Sequence, residues 1–149
     1  MSFVLDASIA ASWAFSDESH PTASRALSLL RTEEALVPPI WWFEIRNVLI
    51  VNERRKRLTA ALTSDFLQKL SRLPIHIEPL PENGDLLALA RAHALTVYDA
   101  AYLELAKRSL SPLATLDADL IRAVRAEGII LIASDGRSAA KPPGKSGRR

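Results

Sequence analysis

The N-terminal stretch Met1-Ser2-Phe3-Val4-Leu5-Asp6-Ala7-Ser8 places an acid directly after a short apolar run. The run is typical of a buried strand, and Ser8 can begin the helix that follows. Open α/β sheets bind their ligands beyond the carboxyl ends of their strands. We therefore predict that Asp6 lies at the functional edge of a sheet.

Short apolar strands alternate with longer helical segments along the rest of the chain. Further strands are predicted at residues 35–37, 75–80, 113–116 and 129–132, and helices at 8–15, 22–31, 41–57, 59–73, 82–94, 98–108 and 118–127. This order predicts an α/β fold with a mostly parallel central sheet covered by helices on both faces. The helix over residues 41–57 is apolar nearly all round, so we expect the core, or the core and a second subunit, to bury most of it.

The charge distribution separates a body from a tail. The net charge is +2, but five of the 19 basic residues and no acid follow residue 136, so residues 1–136 carry 14 basic and 17 acidic residues, a net of −3. We predict one domain over residues 1–134 and a basic, disordered tail over 135–149 that is either simply solvated or contacts phosphate. An acidic body that handles a polyanion needs a metal ion or a local basic patch, such as residues 54–57.

The chain contains no cysteine and no apolar run long enough to span a bilayer. Disulfide and thiolate chemistry are therefore excluded, and no basic segment precedes the first apolar residues as in a secretory signal. We expect a soluble cytoplasmic protein with no membrane association.

Four acids stand out from the remaining acidic residues. Asp6, Asp99 and Asp117 each lie near a predicted helix start, where an aspartate commonly caps free N–H groups. Glu44 taken alone is an ordinary helix residue. Because the carboxyl ends of parallel strands share one edge of a sheet, however, Asp6 and Asp117 should emerge on the same side.

Helical geometry indicates that two of these acids are more than helix caps or exposed surface residues. Glu44 shares its helix face with Val48 and Val51, and Asp99 shares its face with Tyr102 and with Leu103. We expect both faces to be buried, where an ionised group is costly unless it is paired or bound to a metal. No lysine or arginine lies three or four residues from Asp99, so its carboxylate must hold a proton or a cation.

All-oxygen ligation selects hard ions, which makes Mg²⁺ or Mn²⁺ the expected cofactor. A metal site of this kind suits hydrolysis of a phosphodiester, because the ion lowers the pKa of its water and neutralises charge on the leaving oxygen. The sequence contains no Ser-His-Asp set and no glycine-rich phosphate loop. These observations favour metal-dependent hydrolysis over nucleophilic or nucleotide-dependent chemistry.

Four segments in order resemble the PIN-domain ribonucleases, and specifically the VapC-type toxins of toxin–antitoxin pairs. These segments are Val4-Leu5-Asp6-Ala7-Ser8, Glu44-Ile45-Arg46-Asn47, Leu95-Thr96-Val97-Tyr98-Asp99-Ala100-Ala101-Tyr102 and Ala114-Thr115-Leu116-Asp117-Ala118-Asp119-Leu120. Each motif is weak by itself. Together they cover nearly the whole chain up to about residue 132.

The resemblance implies a PIN-domain fold and an endoribonuclease that acts on transfer or ribosomal RNA. It also implies a homodimer inhibited by a VapB-type antitoxin, whose C-terminal segment occupies a groove near the acids. It further implies that the metal-binding and catalytic acids are Asp6, Glu44, Asp99 and Asp117. The implied supporting residues are Ser8, Asn47, Thr115 and Asp119, although an acid in the first turn of a helix is favoured anyway at the last of these.

Three other functions remain open at this point. The first is a PIN nuclease of RNA processing that is not a toxin, which the absence of an upstream antitoxin gene would favour. The second is a phosphoacceptor signalling domain of the receiver type, which needs a lysine after a late strand, whereas Lys107 lies in a predicted helix. The third is an inactive RNA-binding or protein-binding module, which the presence of all four acids disfavours.

Overall fold

The computed structural model describes residues 1–134 and 136–138, which form a six-stranded sheet and seven helices. The strands are β1 (Ser2–Leu5), β2 (Glu34–Val37), β3 (Ile75–Ile77), β4 (Leu113–Ala114), β5 (Leu131–Ala133) and β6 (Gly136–Ser138). The helices are α1 (Ala7–Ser12), α2 (Pro21–Leu29), α3 (Ile40–Arg54), α4 (Ala60–Leu70), α5 (Asn83–His93), α6 (Val97–Ser109) and α7 (Ala118–Ala126).

The strand order is β3-β2-β1-β4-β5-β6, and β1 to β5 run parallel to their neighbours. The chain first proceeds outward from β1 to β2 and β3, and then returns to the other side of β1 for β4 and β5. The order of the strands therefore reverses between β1 and β4. In sheets of this kind such a reversal opens a crevice at the carboxyl ends of the two strands.

Helices cover both faces of the sheet. Phe3, Val4 and Leu5 are all 0% exposed, although successive side chains of a strand point to opposite faces. Leu113 and Ala114 in the adjacent β4 are equally buried. The predicted α/β architecture, with a mostly parallel sheet enclosed on both sides, is confirmed.

The predicted helices and strands are all present, with shifted ends. Several ends shift by three residues, among them that of α3, which ends at Arg54 rather than at residue 57. Lys56 adopts a left-handed conformation with φ of 63°, and the N–H groups of Arg57 and Leu58 donate to the carbonyl of Asn52. This tight turn prevents the helix from continuing through the basic segment.

Within one chain α3 is buried on its inner side only, so its burial on most sides stays a prediction that requires a second subunit. Its inner face is buried, with Ile45 at 0% and Leu49 at 1% exposed. Its outer face leaves Trp42, Phe43 and Ile50 between 41% and 63% exposed. Apolar residues all round a helix do not reveal which of its sides have a neighbour within the same chain and which have one in a partner.

Strand β6 is an element that the sequence analysis did not predict. Gly136–Ser138 pairs antiparallel with β5, with Ile132 opposite Arg137, so these three residues of the predicted tail extend the sheet. The rest of the predicted tail, residue 135 and residues 139–149, lies outside the described residues. Within the described part of the chain, no helix combines the length and apolarity needed to cross a bilayer.

The two isoleucines of α3 test its division into a buried and an exposed face. We expect Ile45→Ala to lower the free energy of unfolding by about 2–5 kcal/mol, because it leaves a cavity in the core. Ile50→Ala removes the same atoms from a half-exposed position and should cost less than about 1 kcal/mol. Urea unfolding followed by circular dichroism measures both values. Equal losses would mean that the outer face of α3 is covered in solution.

Candidate active site

Asp6 follows β1 and is 6% exposed, the least exposed of the four candidate acids. Its Oδ2 atom accepts hydrogen bonds of 2.6 Å from the Ser8 hydroxyl and 2.6 Å from the Thr115 hydroxyl. Its backbone N–H donates to the Ala114 carbonyl, so the register of β1 against β4 brings Asp6 beside the end of β4. The Asp6 side chain forms no capping bond to α1, and capping does not explain this residue.

The two hydroxyls are themselves oriented by the backbone after β4. The Ser8 oxygen accepts from the N–H of Leu116 at 3.1 Å, and the Thr115 oxygen accepts from the N–H of Asp117 at 3.0 Å. Because each hydroxyl has one proton, both protons are committed to Asp6. The predicted supporting residues Ser8 and Thr115 therefore lie in contact with the first candidate acid and connect β1 to β4.

The other two aspartates differ in how they relate to their helices. The Asp117 Oδ2 atom accepts from the Leu120 N–H at 2.8 Å and caps α7, so the capping role is real there. Asp99 lies within the first turn of α6, and the cap of that helix is Thr96, whose hydroxyl accepts from the Asp99 N–H at 3.1 Å. The Asp99 carboxylate is half-buried and is not needed as a cap.

Glu44 reaches toward the same edge from α3 and is fixed by a tyrosine. The Tyr102 hydroxyl donates to the Glu44 Oε1 atom at 2.5 Å, and the Tyr102 side chain is 0% exposed. The sequence analysis assigned Tyr102 only to the apolar face of α6. Its position one turn after Asp99 was the available signal, since a buried tyrosine hydroxyl needs a partner. Glu44 is half-buried, which is less than predicted for its face.

The carboxylates are close enough to disfavour one another's ionisation. Burial raises the pKa of Asp6 above its ordinary value, against the lowering effect of the Ser8 and Thr115 hydroxyls, and Asp117 raises it further. Burial also raises the pKa of Glu44. The hydrogen bond from the Tyr102 hydroxyl lowers this pKa, whereas the negative charges of Asp6 and Asp99 raise it further.

Asp99 behaves in the same way. Burial is the first cause of its raised pKa, and the negative charges of Asp117, Asp6 and Asp119 add to it. Along the described residues, none of the four candidate acids forms an ion pair with a lysine, arginine or histidine. The fold thus concentrates negative charge without a basic partner, which is the condition under which a cation is stabilising.

The donor set fits a hard divalent ion. All candidate ligands are carboxylate oxygens, the type that Mg²⁺ and Mn²⁺ prefer. Among the described residues, no three acids or histidines lie close enough together to hold one ion. Magnesium commonly takes one or two carboxylates and keeps several waters, so the arrangement remains compatible with it.

The remaining predicted supporting residues lie further out. Asn47 is exposed on α3 and lines a groove of about 590 Å³ with Phe43 and Ile50. Asp119 is exposed and pairs with Arg122 at 3.0 Å, although its charge contributes to the raised pKa of Asp99. The structure brings Asp119 near the acids, and among the described residues no hydrogen bond joins Asn47 to any of the four acids.

Comparison with known proteins identifies the family. The model of the PIN domain matches residues 3–137. The chain belongs to the PIN-domain family. A protein from Pyrobaculum aerophilum, described as Ribonuclease VapC3, is 35% identical over 126 residues, which cover 80% of this chain and 92% of that protein. This likeness assigns the chain to the VapC-type PIN domains and confirms the resemblance seen in the motifs.

A solved structure supports the same fold. The crystal structure of PAE2754 from Pyrobaculum aerophilum superposes with a TM-score of 0.66 and covers 83% of this PIN domain and 84% of that chain. The two are 22% identical in sequence, so the likeness shows the fold alone. A receiver-type signalling domain is not supported, and Lys107 pairs with Glu127 at 2.5 Å rather than with any of the four acids.

The raised pKa of Asp6 leads to a prediction about pH. Folding favours its protonated form, so this contribution to stability is fully present below the ordinary aspartate pKa of about 3.9 and is lost as the pH rises through the raised value. Without metal, the free energy of unfolding should therefore fall less steeply toward neutral pH in Asp6→Asn than in the wild type. The slope should persist in part, because Glu44 and Asp99 are unchanged.

Urea unfolding in chelator over a series of pH values measures these slopes. Asp85→Asn is the matched control, since Asp85 is an exposed acid in the first turn of α5. It should keep the wild-type dependence. If Asp6→Asn gave the wild-type slope as well, burial of the Asp6 carboxyl would not penalise its ionisation.

Proposed function

We propose that this PIN domain is a metal-dependent endoribonuclease that acts as the toxin of a VapBC-type pair. The observation that carries the proposal is the set of carboxylates at the switch point of the sheet. Burial and neighbouring acids raise the pKa values of Asp6, Glu44 and Asp99, and among the described residues none of the four acids has a basic partner. The description of the relative VapC3 as a ribonuclease supports the same activity.

In this proposal Asp6, Glu44, Asp99 and Asp117 hold Mg²⁺ or Mn²⁺ and form the catalytic centre. When bound, the ion lowers the pKa of a coordinated water and neutralises charge on the phosphodiester oxygens. The four acids would hold the cation among them, which would offset their mutual repulsion, and the cation rather than the acids would attract the scissile phosphate.

The surrounding residues keep the acids in position. Ser8 and Thr115 direct their protons to one oxygen of Asp6, which favours its ionised form and leaves the other oxygen to face the site. Tyr102 does the same for Glu44 from within the core. Since each of these donors is itself held by packing or by backbone bonds, the carboxylates need little reorganisation on binding metal.

Partner surfaces are available away from the acids. A cavity of about 520 Å³ lies between the end of α1 and α4, is lined by Trp13, Phe15 and Phe66, and contains none of the four acids. Together with the exposed Trp42 and Ile50 of α3, it supports our proposal that the protein forms a homodimer. We propose that a VapB-type antitoxin binds at the groove near the acids, as the resemblance implies. We place these partners, and a transfer or ribosomal RNA substrate, in the cytoplasm.

A PIN nuclease of RNA processing is the second candidate. The same carboxylate site would serve that role, so nothing in its geometry separates the two. Gene context does. A small reading frame immediately upstream, whose product co-purifies with this protein and inhibits it, would establish the toxin assignment, and the absence of such a partner would favour RNA processing.

The catalytic role of the acids can be tested on purified protein. We expect Asp99→Asn to reduce Mn²⁺-dependent cleavage of structured RNA by about 100-fold or more, because it removes a charge that holds the ion. The far-ultraviolet circular dichroism should be unchanged, since Asp99 is half-buried and does not cap α6. Chelation should abolish cleavage by the wild type.

Asp85→Asn again serves as the control, as an acid in the first turn of another helix. It should retain wild-type cleavage. A wild type that is free of antitoxin, supplied with Mg²⁺ or Mn²⁺ and still inactive on total cellular RNA would contradict the proposed activity.

A further inference from the structure

An open cavity of about 290 Å³ lies between α3 and α6, the two helices that supply Glu44 and Asp99. We call it the apolar cavity. Its principal lining residues are Ile40, Phe43, Leu80, Pro81, Val97 and Tyr98. Among the described residues, no charged side chain lines it.

The two aromatic rings of the apolar cavity adjoin the acids in sequence. Phe43 immediately precedes Glu44 on α3, and Tyr98 immediately precedes Asp99 on α6. Each helix thus directs an acid to the candidate active site and the preceding residue, about 100° away around the helix, to the apolar cavity. Two residues that line the cavity therefore precede two of the candidate acids, one on each helix.

Both rings are exposed to a degree that core packing does not explain. Phe43 is 63% exposed and Tyr98 is 59% exposed. Neither acts as a core side chain, in contrast to Trp41 on the same helix, which is 5% exposed. Exposed aromatic rings beside a site for phosphodiester chemistry are the feature on which nucleobases stack.

We propose that the apolar cavity binds one unstacked nucleobase of the RNA, with its face against Phe43 and Tyr98, next to the phosphate held at the acids. The inference rests on the proposed ribonuclease function and adds a base-binding subsite to it. An uncharged apolar lining matches the faces of a base, whose polar edges stay at the open side. Such stacking accepts every base, so the subsite selects unpaired over paired RNA rather than one sequence.

The apolar cavity could instead bind a second copy of the chain. A stable dimer needs about 800 Å² of surface from each partner, far more than one small cavity supplies. The size of the apolar cavity suits a single planar group. The adjacency of Phe43 to Glu44 and of Tyr98 to Asp99 also suits an RNA ligand, whose bases lie next to its phosphates.

The test uses a short single-stranded RNA with 2-aminopurine at one position, the full-length protein, and Ca²⁺ in place of Mg²⁺ or Mn²⁺, a hard ion that carboxylates can hold while cleavage is slowed. We expect the fluorescence of 2-aminopurine to change on binding at the position that enters the cavity. Phe43→Leu and Tyr98→Leu should each weaken binding about tenfold, whereas Phe43→Tyr and Tyr98→Phe should restore it. Both positions are exposed, so these variants should fold normally.

Two controls isolate the base. The same RNA lacking the base at that position should bind wild type and Phe43→Leu with equal affinity. Leu110→Ala should leave binding unchanged, because Leu110 is a 92% exposed apolar residue at the far end of α6, about 18 Å along the helix from Tyr98.

The outcomes distinguish a failure of the base subsite from a failure of the proposed ribonuclease function. Equal binding by wild type and the leucine variants, or weakened binding only in variants that light scattering shows to have changed oligomeric state, overturns the base subsite. Cleavage by the wild type would still support the ribonuclease in that case. Aromatic-dependent binding without any cleavage by the metal-loaded wild type would keep the subsite and remove the proposed function.

Discussion

The repulsion among buried carboxylates is the constraint on which the rest of this structure depends. Asp6 is almost completely enclosed, and its pKa, like those of Glu44 and Asp99, is raised by burial and by neighbouring acids. A fold that collects negative charge in this way loses stability unless something compensates. Hydroxyl donors from Ser8 and Thr115 compensate in part, and a divalent ion would complete the compensation.

The sheet topology explains how distant residues supply these acids. The strand order reverses between β1 and β4, so the carboxyl ends of two adjacent strands open toward the same crevice. The hydrogen bond from Thr115 to Asp6 spans 109 residues of sequence and joins these two ends directly. The same frame positions α3 and α6 so that each offers an acid to the crevice and an aromatic ring to the adjacent cavity.

Much of the fold could be predicted because its signals are local. The apolar runs of the strands and the helical spacing between them predicted a parallel sheet enclosed on both faces, and the structure confirms it. The acid positions followed from the same patterns, since three lie at helix starts. The exposed face of α3, strand β6 and the bond from Tyr102 to Glu44 could not be predicted, because each depends on which elements become neighbours.

The sequence by itself determined the α/β class and the PIN-domain motifs, and it predicted the four candidate acids, because these depend on residue type, order and periodicity. Only the tertiary structure decided which acids cap helices and which do not, with Asp117 bonded to α7 and Asp6 bonded to two hydroxyls instead. It also decided that Phe43 and Tyr98 share one cavity. The physical reason is that burial and electrostatic coupling arise between segments far apart in the chain, where local patterns carry no information.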